Sequence, residues 1–541
     1  MNKTPALIAK YPRWLALVAG GISATGFAPL NLWILTLLCL GLLMHFVASA
    51  ESGKRAFLLG WLFGVGHFSV GNNWIAMAFT YQAAMPEWLG WVAVLLLALY
   101  LAVYPALACW GAWWVAKWVN RKTGALPVSL PFIFSFAGMW IVAEWLRSWV
   151  FTGFSWNPLG IIAIGDFASP AIHIGSYGLS GAIVALSGAL LLLAHGRWRG
   201  ALLISVALAS LWGVSFVQFA SDSVVAAINN KGIGRQRIAL TVVQPNISQL
   251  DKHTAGYEAV NFVRLAQNSR PQNDQPRLVF WPESAIPWWL EDGYPRQAYV
   301  NQPGGTAAGT RQTLAKLLRP NDLLLTGGDR LEFGPDGTVA GARNSVLVMD
   351  AKGEILDTYD KAHLVPYGEY LALRWLLEPL GATRLVPGAM DFWPGPGPRT
   401  LDLPFDGKRI KVGMQICYEI IFSGQVVDRA NRPNFIFQPS NDAWYGSWSR
   451  PQFLAQARLR AIEEGLPVVR ATPTGISAII DADGRIVESL PSGEAGRIDT
   501  FLPPAKAPTL FARYGNMLPL GLAALLIALA FLPLVRRRIS R

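Results

Sequence analysis

Two kinds of hydrophobic patterning divide the chain near residue 222. Seven long apolar runs precede that point, and an eighth lies at the C-terminal end. Each run approaches or exceeds the roughly 20 residues that a helix needs to cross the hydrocarbon core of a bilayer. The pattern therefore predicts a membrane α-helical bundle of eight spans, seven in residues 1–221 and one in residues 511–541. The runs cover residues 12–29, 31–49, 56–80, 88–116, 128–150, 171–194, 199–219 and 515–535.

Residues 222–510 alternate short β-rich runs with helical stretches and polar turns, and none of their apolar runs is long enough to span a membrane. About eight strands with helices between them are typical of a layered α/β domain, which we predict for this segment. The predicted strands are Ile238–Val243, Arg277–Trp281, Asp322–Thr326, Ser345–Asp350, Glu354–Tyr359, Arg409–Cys417, Asn434–Gln438, Gly475–Asp481 and Arg485–Leu490. The predicted helices are Tyr257–Asn268, Thr306–Leu318 and Pro451–Glu464.

Composition agrees with a membrane protein and excludes several classes. Of the 541 residues, 52% are hydrophobic and only 15% are charged, whereas ordinary soluble proteins carry about 25% charged residues. The three cysteines, Cys39, Cys109 and Cys417, are too few for a disulfide scaffold, and no Cys-x-x-Cys pair suggests a structural zinc site. The sequence therefore favours neither a disordered chain nor a disulfide-rich or zinc-stabilised one, and we expect no metal.

The net charge of +12 belongs to the membrane topology. Fourteen Lys or Arg residues lie on the connections of one side of the predicted bundle, and only Arg147 lies on the alternate short connections. By the positive-inside rule, both termini and the basic C-terminal tail are cytoplasmic, and residues 222–510 lie on the outer side. This part of the chain is almost neutral, with 31 basic residues at 231–513 and 30 acidic residues at 222–500, so binding of nucleic acid is not expected.

Cys417 is a candidate nucleophile. Three large enzyme classes lack their simplest signature here, because the chain contains no His-Glu-x-x-His, phosphate-loop or Gly-x-Ser-x-Gly motif. Cys417 ends a predicted apolar strand and is followed by Tyr418–Glu419 and a turn. A thiol at such a junction faces a cleft in some enzymes, although a single cysteine at a strand end is more often a small buried hydrophobic residue.

A nucleophilic cysteine needs a base and a nearby cation. Glu283 directly follows the predicted strand Arg277–Trp281, and Lys361 follows the predicted hairpin that ends at Tyr359. A Cys–His pair is the alternative, for which the domain supplies only His253 and His363. Taken singly, each of these charged residues is more often a paired surface charge than a catalyst.

The order and spacing of Glu283, Lys361 and Cys417, separated by 78 and then 56 residues, resemble the Glu–Lys–Cys triad of the nitrilase or carbon–nitrogen hydrolase superfamily. With seven spans before this domain and one after it, the entire chain resembles the apolipoprotein N-acyltransferase family. Two departures are visible: Lys252–His253 stands where that family commonly has Trp, and Ser155 stands where Pro is usual. Other stretches that fit are Val243–Asn246, Val365–Tyr370, Ser440–Tyr445, Arg470–Thr472, Glu144–Arg147 and Thr152–Phe154.

The resemblance implies an αββα sandwich on the periplasmic side of a bacterial inner membrane, and a two-step acyl transfer without a cofactor. Cys417 would take a fatty acyl chain from a phospholipid, with phosphatidylethanolamine the expected donor, as a thioester. The chain would then pass to the α-amine of diacylglyceryl-cysteine on an apolipoprotein. Glu283 would act as base and then acid, and Lys361 would stabilise thiolate and oxyanion. A monomer is expected.

The resemblance also assigns supporting residues. Glu369 would pair with or orient Lys361, Tyr418 and Glu419 would position the cysteine loop, and Asn344 would belong to the same set. Lipid contacts are expected for a few aromatic residues, which suit the headgroup boundary. The aromatic candidates are Trp288, Trp393 and Trp444.

Two other functions use the same sequence differently. A membrane-anchored amidase or nitrilase would have the same triad with water replacing the amine, although one anchor would suffice for it. A transporter or lipoprotein receptor with an inert domain would not depend on Cys417. The Cys–His alternative predicts that His363→Ala is as damaging as Lys361→Ala.

Overall fold

The computed structural model describes residues 10–81, 86–165, 167–231, 237–253, 256–380 and 391–539. Its longer helices, apart from single turns, are α1 (Pro12–Ser23), α2 (Trp33–Ala48), α3 (Gly53–Gly71), α4 (Leu89–Leu101), α5 (Val103–Thr123), α6 (Leu130–Arg147), α7 (Ala171–Ala194), α8 (Trp198–Lys231), α9 (Gln249–His253), α10 (Glu258–Asn268), α11 (Ala307–Ala315), α12 (Gly446–Glu464), α13 (Leu510–Tyr514) and α14 (Met517–Ile539). Its strands are β1 (Ala239–Gln244), β2 (Arg277–Phe280), β3 (Leu323–Phe333), β4 (Val339–Asp350), β5 (Ile355–Asp360), β6 (Thr400–Phe405), β7 (Lys408–Met414), β8 (Phe435–Pro439), β9 (Val468–Ala471), β10 (Ala478–Ile480), β11 (Ile486–Ser489) and β12 (Gly496–Phe501).

The described chain forms two compact units. The helical unit contains the residues up to Met77, Pro86–Ser221 and the residues from Pro508 onwards. The second unit contains Asp222–Ala507 together with residues 78–81.

Five of the eight predicted spans correspond to helices that are long and apolar enough to cross a membrane. The first three correspond to α1, α2 and α3, which have 12, 16 and 19 residues. The first two are shorter than the roughly 20 residues of a full crossing, and α3 begins with Lys54 and Arg55. The count of eight therefore stays a prediction. The five helices occupy Leu89–Thr123, Leu130–Arg147, Ala171–Ala194, Trp198–Val225 and Met517–Val535.

Close helix contacts in the helical unit depend on glycine. A Cβ atom at Gly20 would lie 1.9 Å from the Phe63 carbonyl oxygen, and one at Gly66 would lie 2.0 Å from the Leu17 carbonyl oxygen. α1 and α3 therefore touch backbone to backbone at these positions, as small residues permit in membrane bundles.

The second unit contains two six-stranded mixed sheets. The strand orders are β12-β1-β2-β3-β4-β5 and β11-β10-β9-β8-β7-β6. In each sheet three central strands are parallel, namely β1, β2 and β3 in the first and β7, β8 and β9 in the second, and the outer strands pair antiparallel. The carboxyl ends of the parallel strands meet at one edge of each sheet, where loops carry side chains into a site.

After Arg277, the remaining residues of β2, 278–280, are all apolar because they are buried between two layers. The Phe280 ring lies 5.9 and 4.8 Å from the rings of Phe435 and Phe437 on β8, so this face meets the second sheet. Val279 and Trp281 point the other way and pack in a core cluster with Leu265 of α10. A strand buried on both faces reads as a continuous hydrophobic run, as expected between two layers.

The structure corrects the predicted strands at several points. β6, β9 and β12 were not predicted, and the strand predicted at Gly475–Asp481 is confined to Ala478–Ile480. The strand expected to end at Cys417 ends at Met414, and Cys417 opens a short 3₁₀ turn, Cys417–Ile421. β9 and β12 are short or carry charged residues, so their pairing with neighbours, rather than their own pattern, makes them strands.

Candidate active site

Three loops that follow strands bring the predicted triad into one buried site. Glu283 follows β2, Lys361 directly follows β5, and Cys417 follows β7. All three side chains are buried, and Cys417 interacts electrostatically with both Glu283 and Lys361. The residues that the sequence separates by 78 and 56 positions are therefore neighbours in the second unit.

Cys417 has a strained backbone. Its φ of 50° lies in the left-handed region, which a residue with a side chain rarely adopts and which clusters at functional sites. Burial, together with the Glu283 carboxylate, raises the pKa of the Cys417 thiol, and the Lys361 ammonium opposes that rise. The thiol is therefore the resting form, and forming a thiolate requires a proton acceptor beside it.

Lys361 lies between two carboxylates. Its Nζ is 2.9 Å from Glu369 Oε1 and 3.3 Å from Glu283 Oε1, and the side chain is only 1% exposed. Burial alone would lower the pKa of this ammonium, but Glu283, Glu369 and Cys417 raise it well above its usual value. Lys361 is therefore a permanent buried cation close to the sulfur.

Glu283 is held by donors on both oxygens. Asn344 Nδ2 donates to Oε1 at 2.7 Å, and the Asn441 backbone N–H donates to Oε2 at 2.7 Å. Burial tends to raise the pKa of this carboxyl, but Lys361, Asn344, Lys252 and Asn441 lower it below its usual value. Glu283 is thus an ionised carboxylate beside a protonated thiol, the starting arrangement for a general base.

Glu369 and Asn344 complete the network around the lysine. Asn344 Nδ2 donates to Glu369 Oε1 at 3.0 Å as well as to Glu283, so one amide bridges the two carboxylates. The Val365 backbone N–H donates to Glu369 Oε2 at 2.7 Å. The structure therefore places Glu369 against Lys361, where the sequence predicted it.

Glu419 joins the loop after β5 to the cysteine loop. Its Oε1 accepts hydrogen bonds from the Tyr359 hydroxyl at 2.9 Å and from the backbone N–H groups of Ala362 at 2.7 Å and His363 at 3.1 Å. Its Oε2 accepts from the Ile416 N–H at 2.6 Å. Burial nevertheless raises the pKa of Glu419 to about 7. Glu419 therefore joins the loop that carries Lys361 to the loop that carries Cys417.

Tyr418 and His363 form an aromatic group next to the cysteine loop. The His363 ring stacks on Phe422 at 3.8 Å, and Tyr418 packs edge-on against Phe422 at 5.2 Å. The charged groups around the sulfur are Glu283, Lys361 and Asp442. This arrangement favours the carboxylate–ammonium interpretation over a Cys–His pair.

The three predicted lipid-contacting tryptophans occupy different settings. Trp288 is buried with its ring 5.0 Å from Phe262, and Trp444 is half-buried with its ring 5.9 Å from Tyr81. Trp393 is 38% exposed, and its backbone N–H donates to the Ala342 carbonyl. The structure does not bring these rings together, so their contact with lipid stays a prediction.

Sequence reasoning missed two charged residues near the base. Burial lowers the pKa of Lys252 against the attraction of Asp329 and Glu283. Burial also raises the pKa of Asp329 to about 6, and Ser284 Oγ donates to its Oδ1 at 3.3 Å. The one signal in the sequence was Lys252, which lies where the resembling family commonly has Trp. The side chain of its neighbour His253 lies outside the described residues.

Comparison with known proteins covers both halves of the chain. Residues 19–190 match the family model of the apolipoprotein N-acyltransferase N-terminal domain, and residues 239–505 match that of carbon–nitrogen hydrolases. A protein of Rhodopseudomonas palustris named apolipoprotein N-acyltransferase is 34% identical over 97% of this chain and 95% of its own length. One of the same name from Bradyrhizobium diazoefficiens is 35% identical over the same shares.

Two solved structures that resemble this chain each cover about half of it. An amidase from a Nesterenkonia species is 18% identical, with a TM-score of 0.33, over 51% of this chain and 94% of that one. A nitrilase-superfamily protein of Saccharomyces cerevisiae is 21% identical, with a TM-score of 0.33, over 50% of this chain and 91% of that one.

Proposed function

Because this chain belongs to the apolipoprotein N-acyltransferase family, we propose that it acylates apolipoproteins through a thioester on Cys417. It is a membrane protein with five helices apolar and long enough to cross a bilayer among its described residues and a nitrilase-like carbon–nitrogen hydrolase domain. The observation that carries the proposal is the buried Glu283–Lys361–Cys417 cluster, in which an ionised carboxylate and a buried ammonium flank a strained cysteine.

The first half-reaction begins with the thiol proton. Glu283 takes the proton from Cys417, and the thiolate attacks the carbonyl carbon of a phospholipid acyl ester. Lys361 stabilises the resulting oxyanion, a contribution typically worth about 3–4 kcal/mol of barrier. The C–O bond to glycerol then breaks, Glu283 returns its proton to the leaving oxygen, and a lysophospholipid departs.

The second half-reaction uses the same groups in the reverse direction. The neutral α-amine of a diacylglyceryl-cysteine attacks the thioester carbonyl, and Glu283 accepts a proton from the attacking nitrogen. The C–S bond breaks, and the sulfur regains a proton from Glu283. The amide product is more stable than the thioester, so the transfer proceeds downhill. Excluding water protects the thioester until the amine arrives.

The membrane setting follows from the substrates. Both keep their acyl tails in a bilayer, so we place the protein in a bacterial inner membrane with the catalytic domain on the periplasmic side. The distribution of Lys and Arg supports cytoplasmic termini. Arg147, the single exception, is buried at the end of α6, and its Nη1 donates to the Trp156 carbonyl at 2.9 Å. Phosphatidylethanolamine is the proposed donor, and a monomer is the proposed state.

Mass spectrometry of the purified protein after exposure to phosphatidylethanolamine vesicles tests the proposal. We expect a mass gain of one acyl group on the Cys417 peptide, its loss on adding a diacylated lipopeptide, and triacylated product. Cys417→Ala abolishes both steps, whereas Cys39→Ala, a matched change in α2, leaves them intact. Release of free fatty acid without lipopeptide would favour the hydrolase, and full activity of Cys417→Ala would favour a non-catalytic receptor.

A further inference from the structure

Three buried polar residues, Ser440, Asp442 and Arg470, form a hydrogen-bonded row near Cys417. Ser440 directly follows β8, and its side chain interacts with Cys417 in the direction that lowers the thiol pKa. Ser440 Oγ donates to Asp442 Oδ1 at 2.7 Å, and Arg470 Nη2 donates to Asp442 Oδ2 at 2.6 Å. Ser440 and Arg470 are 0% exposed and Asp442 is 1% exposed. None of the three belongs to the Glu–Lys–Cys triad.

Burying the Asp442–Arg470 ion pair costs free energy, so its presence in the core calls for an explanation. A buried ion pair loses its hydration and is weak evidence for stability, since apolar residues of similar size often serve as well. The surroundings are nevertheless shaped for it. The Arg470 guanidinium lies over the Phe453 ring at 4.5 Å, and a Cβ at Gly475 would lie 2.3 Å from Asp442 Oδ2.

The segment that contains Ser440 and Asp442 also contacts Glu283, the proposed general base. The Asn441 N–H, next in sequence to Ser440, donates to Glu283 Oε2 at 2.7 Å. Asn441 Nδ2 donates to Gln249 Oε1 at 3.1 Å, and the Ser440 N–H donates to the Ala471 carbonyl. Two adjacent residues, both anchored, therefore contact the nucleophile and its proton acceptor at once.

We propose that Ser440 is a further catalytic residue, whose hydroxyl stabilises the Cys417 thiolate, and that Asp442 and Arg470 are positioning residues that control this hydroxyl. The inference rests on the proposed role of Cys417 as the nucleophile. It assigns the buried ion pair a task that packing alone does not explain.

The proton count follows from the hydroxyl. Ser440 has one proton and two acceptor lone pairs. While Cys417 is a thiol, the Ser440 proton points to Asp442, and the S–H group donates to Ser440 Oγ. When Glu283 has taken the thiol proton, the Ser440 proton rotates to the sulfur, and Asp442 stays paired with Arg470. No bond to Ser440 forms or breaks during the reaction.

The charged groups that face the sulfur decide the direction of each change. They are Glu283 after β2, Lys361 after β5 and Asp442 after β8. Removing the Ser440 hydroxyl removes a donor to the thiolate, so the thiol pKa rises. Replacing Asp442 by Asn removes a nearby negative charge and a competitor for the hydroxyl proton, so the thiol pKa falls. Only the rise for Ser440→Ala identifies the hydroxyl as a donor to the thiolate, because that substitution changes no charge.

The test is the pH dependence of Cys417 alkylation by iodoacetamide in the full-length detergent-solubilised protein, followed on the Cys417 peptide. For Ser440→Ala we expect alkylation at pH 7.5 to slow about tenfold, which corresponds to one pKa unit. Ser440→Thr keeps the hydroxyl and restores the profile, and Asp442→Asn speeds alkylation. Ser423→Ala is the matched control, because Ser423 Oγ likewise donates to a buried carboxylate, Glu463 Oε1, at 2.8 Å.

An unchanged profile in folded Ser440→Ala, or a slower reaction in folded Asp442→Asn, overturns the inference. If Ser440→Ala does not fold, Ser440→Val, which has the shape of the Thr variant without its hydroxyl, is compared with Ser440→Thr in its place. Acylation of wild-type Cys417 is measured separately. Its absence would refute the proposed function, whereas its presence with an unchanged Ser440→Ala profile would refute only the role of Ser440.

Discussion

Serine contacts in α7 of the helical unit and two buried ion pairs of the second unit differ in how far apart their partners lie along the chain. In α7, Ser180 and Ser187 donate to the carbonyl oxygens of Ser176 and Ile183, four residues earlier, each at 3.1 Å. In the second unit, two buried ion pairs join residues that lie far apart along the chain. Arg277 pairs with Asp322 across 45 residues, and Lys361 pairs with Glu283 across 78.

The difference follows from the surroundings of each unit. A helix in hydrocarbon must satisfy its polar groups within itself or with close neighbours. Layered sheets instead bring distant strand ends together, so charges from separate segments meet and perturb one another. Glu144 at the end of α6 is intermediate, since it accepts from Trp140 in its own helix and from the Leu159 N–H. Chemistry therefore concentrates where long-range partners converge.

Removing the central long-range cation should have the largest effect. Lys361→Met leaves Glu283 and Glu369 facing each other and removes the donor to the oxyanion, so we expect formation of the Cys417 thioester to slow by about 10²–10³-fold or more. Timed mass spectrometry of the acyl-enzyme measures this rate. Lys408→Met, at the exposed start of β7, is the control. A loss of less than tenfold in folded Lys361→Met would contradict the assigned role.

Breaking a buried pair away from the site should lower stability rather than rate. Arg277→Leu removes the guanidinium that pairs with Asp322, whose side chain is 0% exposed. Losing one partner of a buried ion pair costs about 3–5 kcal/mol of stability. Thermal unfolding in detergent measures the effect. Arg409→Leu removes the exposed pair with Asp402 and should cost at most about 1 kcal/mol. Equal losses for the two variants would show that distance and burial do not matter here.

The buried carboxyl of Glu464 should make the stability of the second unit depend on pH. Burial and the neighbouring Glu463 raise the pKa of Glu464 to about 7, and its Oε2 has no hydrogen-bond partner among the described residues. Between the unfolded pKa and about 7 the folded state holds the extra proton, so stability falls as pH rises through that window.

Glu464→Gln should therefore stabilise the protein at pH 8, by on the order of 1–3 kcal/mol, and have little effect at pH 5. Unfolding temperatures at the two pH values measure the difference. Glu488→Gln, on an exposed strand, should leave it unchanged. A gain of equal size at both pH values would mean that packing, not ionisation, is the cause.

A local hydrogen bond in the helical unit should matter least. Ser187→Ala removes a hydroxyl whose acceptor, the Ile183 carbonyl, lies in the same helix, and we expect a loss of no more than about 0.6 kcal/mol. Thermal unfolding in detergent again provides the measurement. A loss as large as that of Arg277→Leu would remove the contrast between the two units.

The length of the apolar runs and the polar turns between short strands predicted the division into a helical part and an α/β part. Comparison with relatives confirms the family and its activity. The patterns failed where a neighbour decides the structure. β12 becomes a strand by pairing with β1, and β9 by pairing with β8 and β10.

The sequence by itself placed Glu283 and Cys417 after apolar strands and Lys361 after a hairpin, because a strand buried between layers is a hydrophobic run and a tight turn marks a hairpin. Which atoms meet there was decided only by the tertiary structure. Asn344 bridges two carboxylates, Asn441 donates its backbone N–H to a carboxylate 158 residues away, and Cys417 takes a positive φ. Such contacts depend on strand register and on the facing of two sheets, which no local pattern encodes.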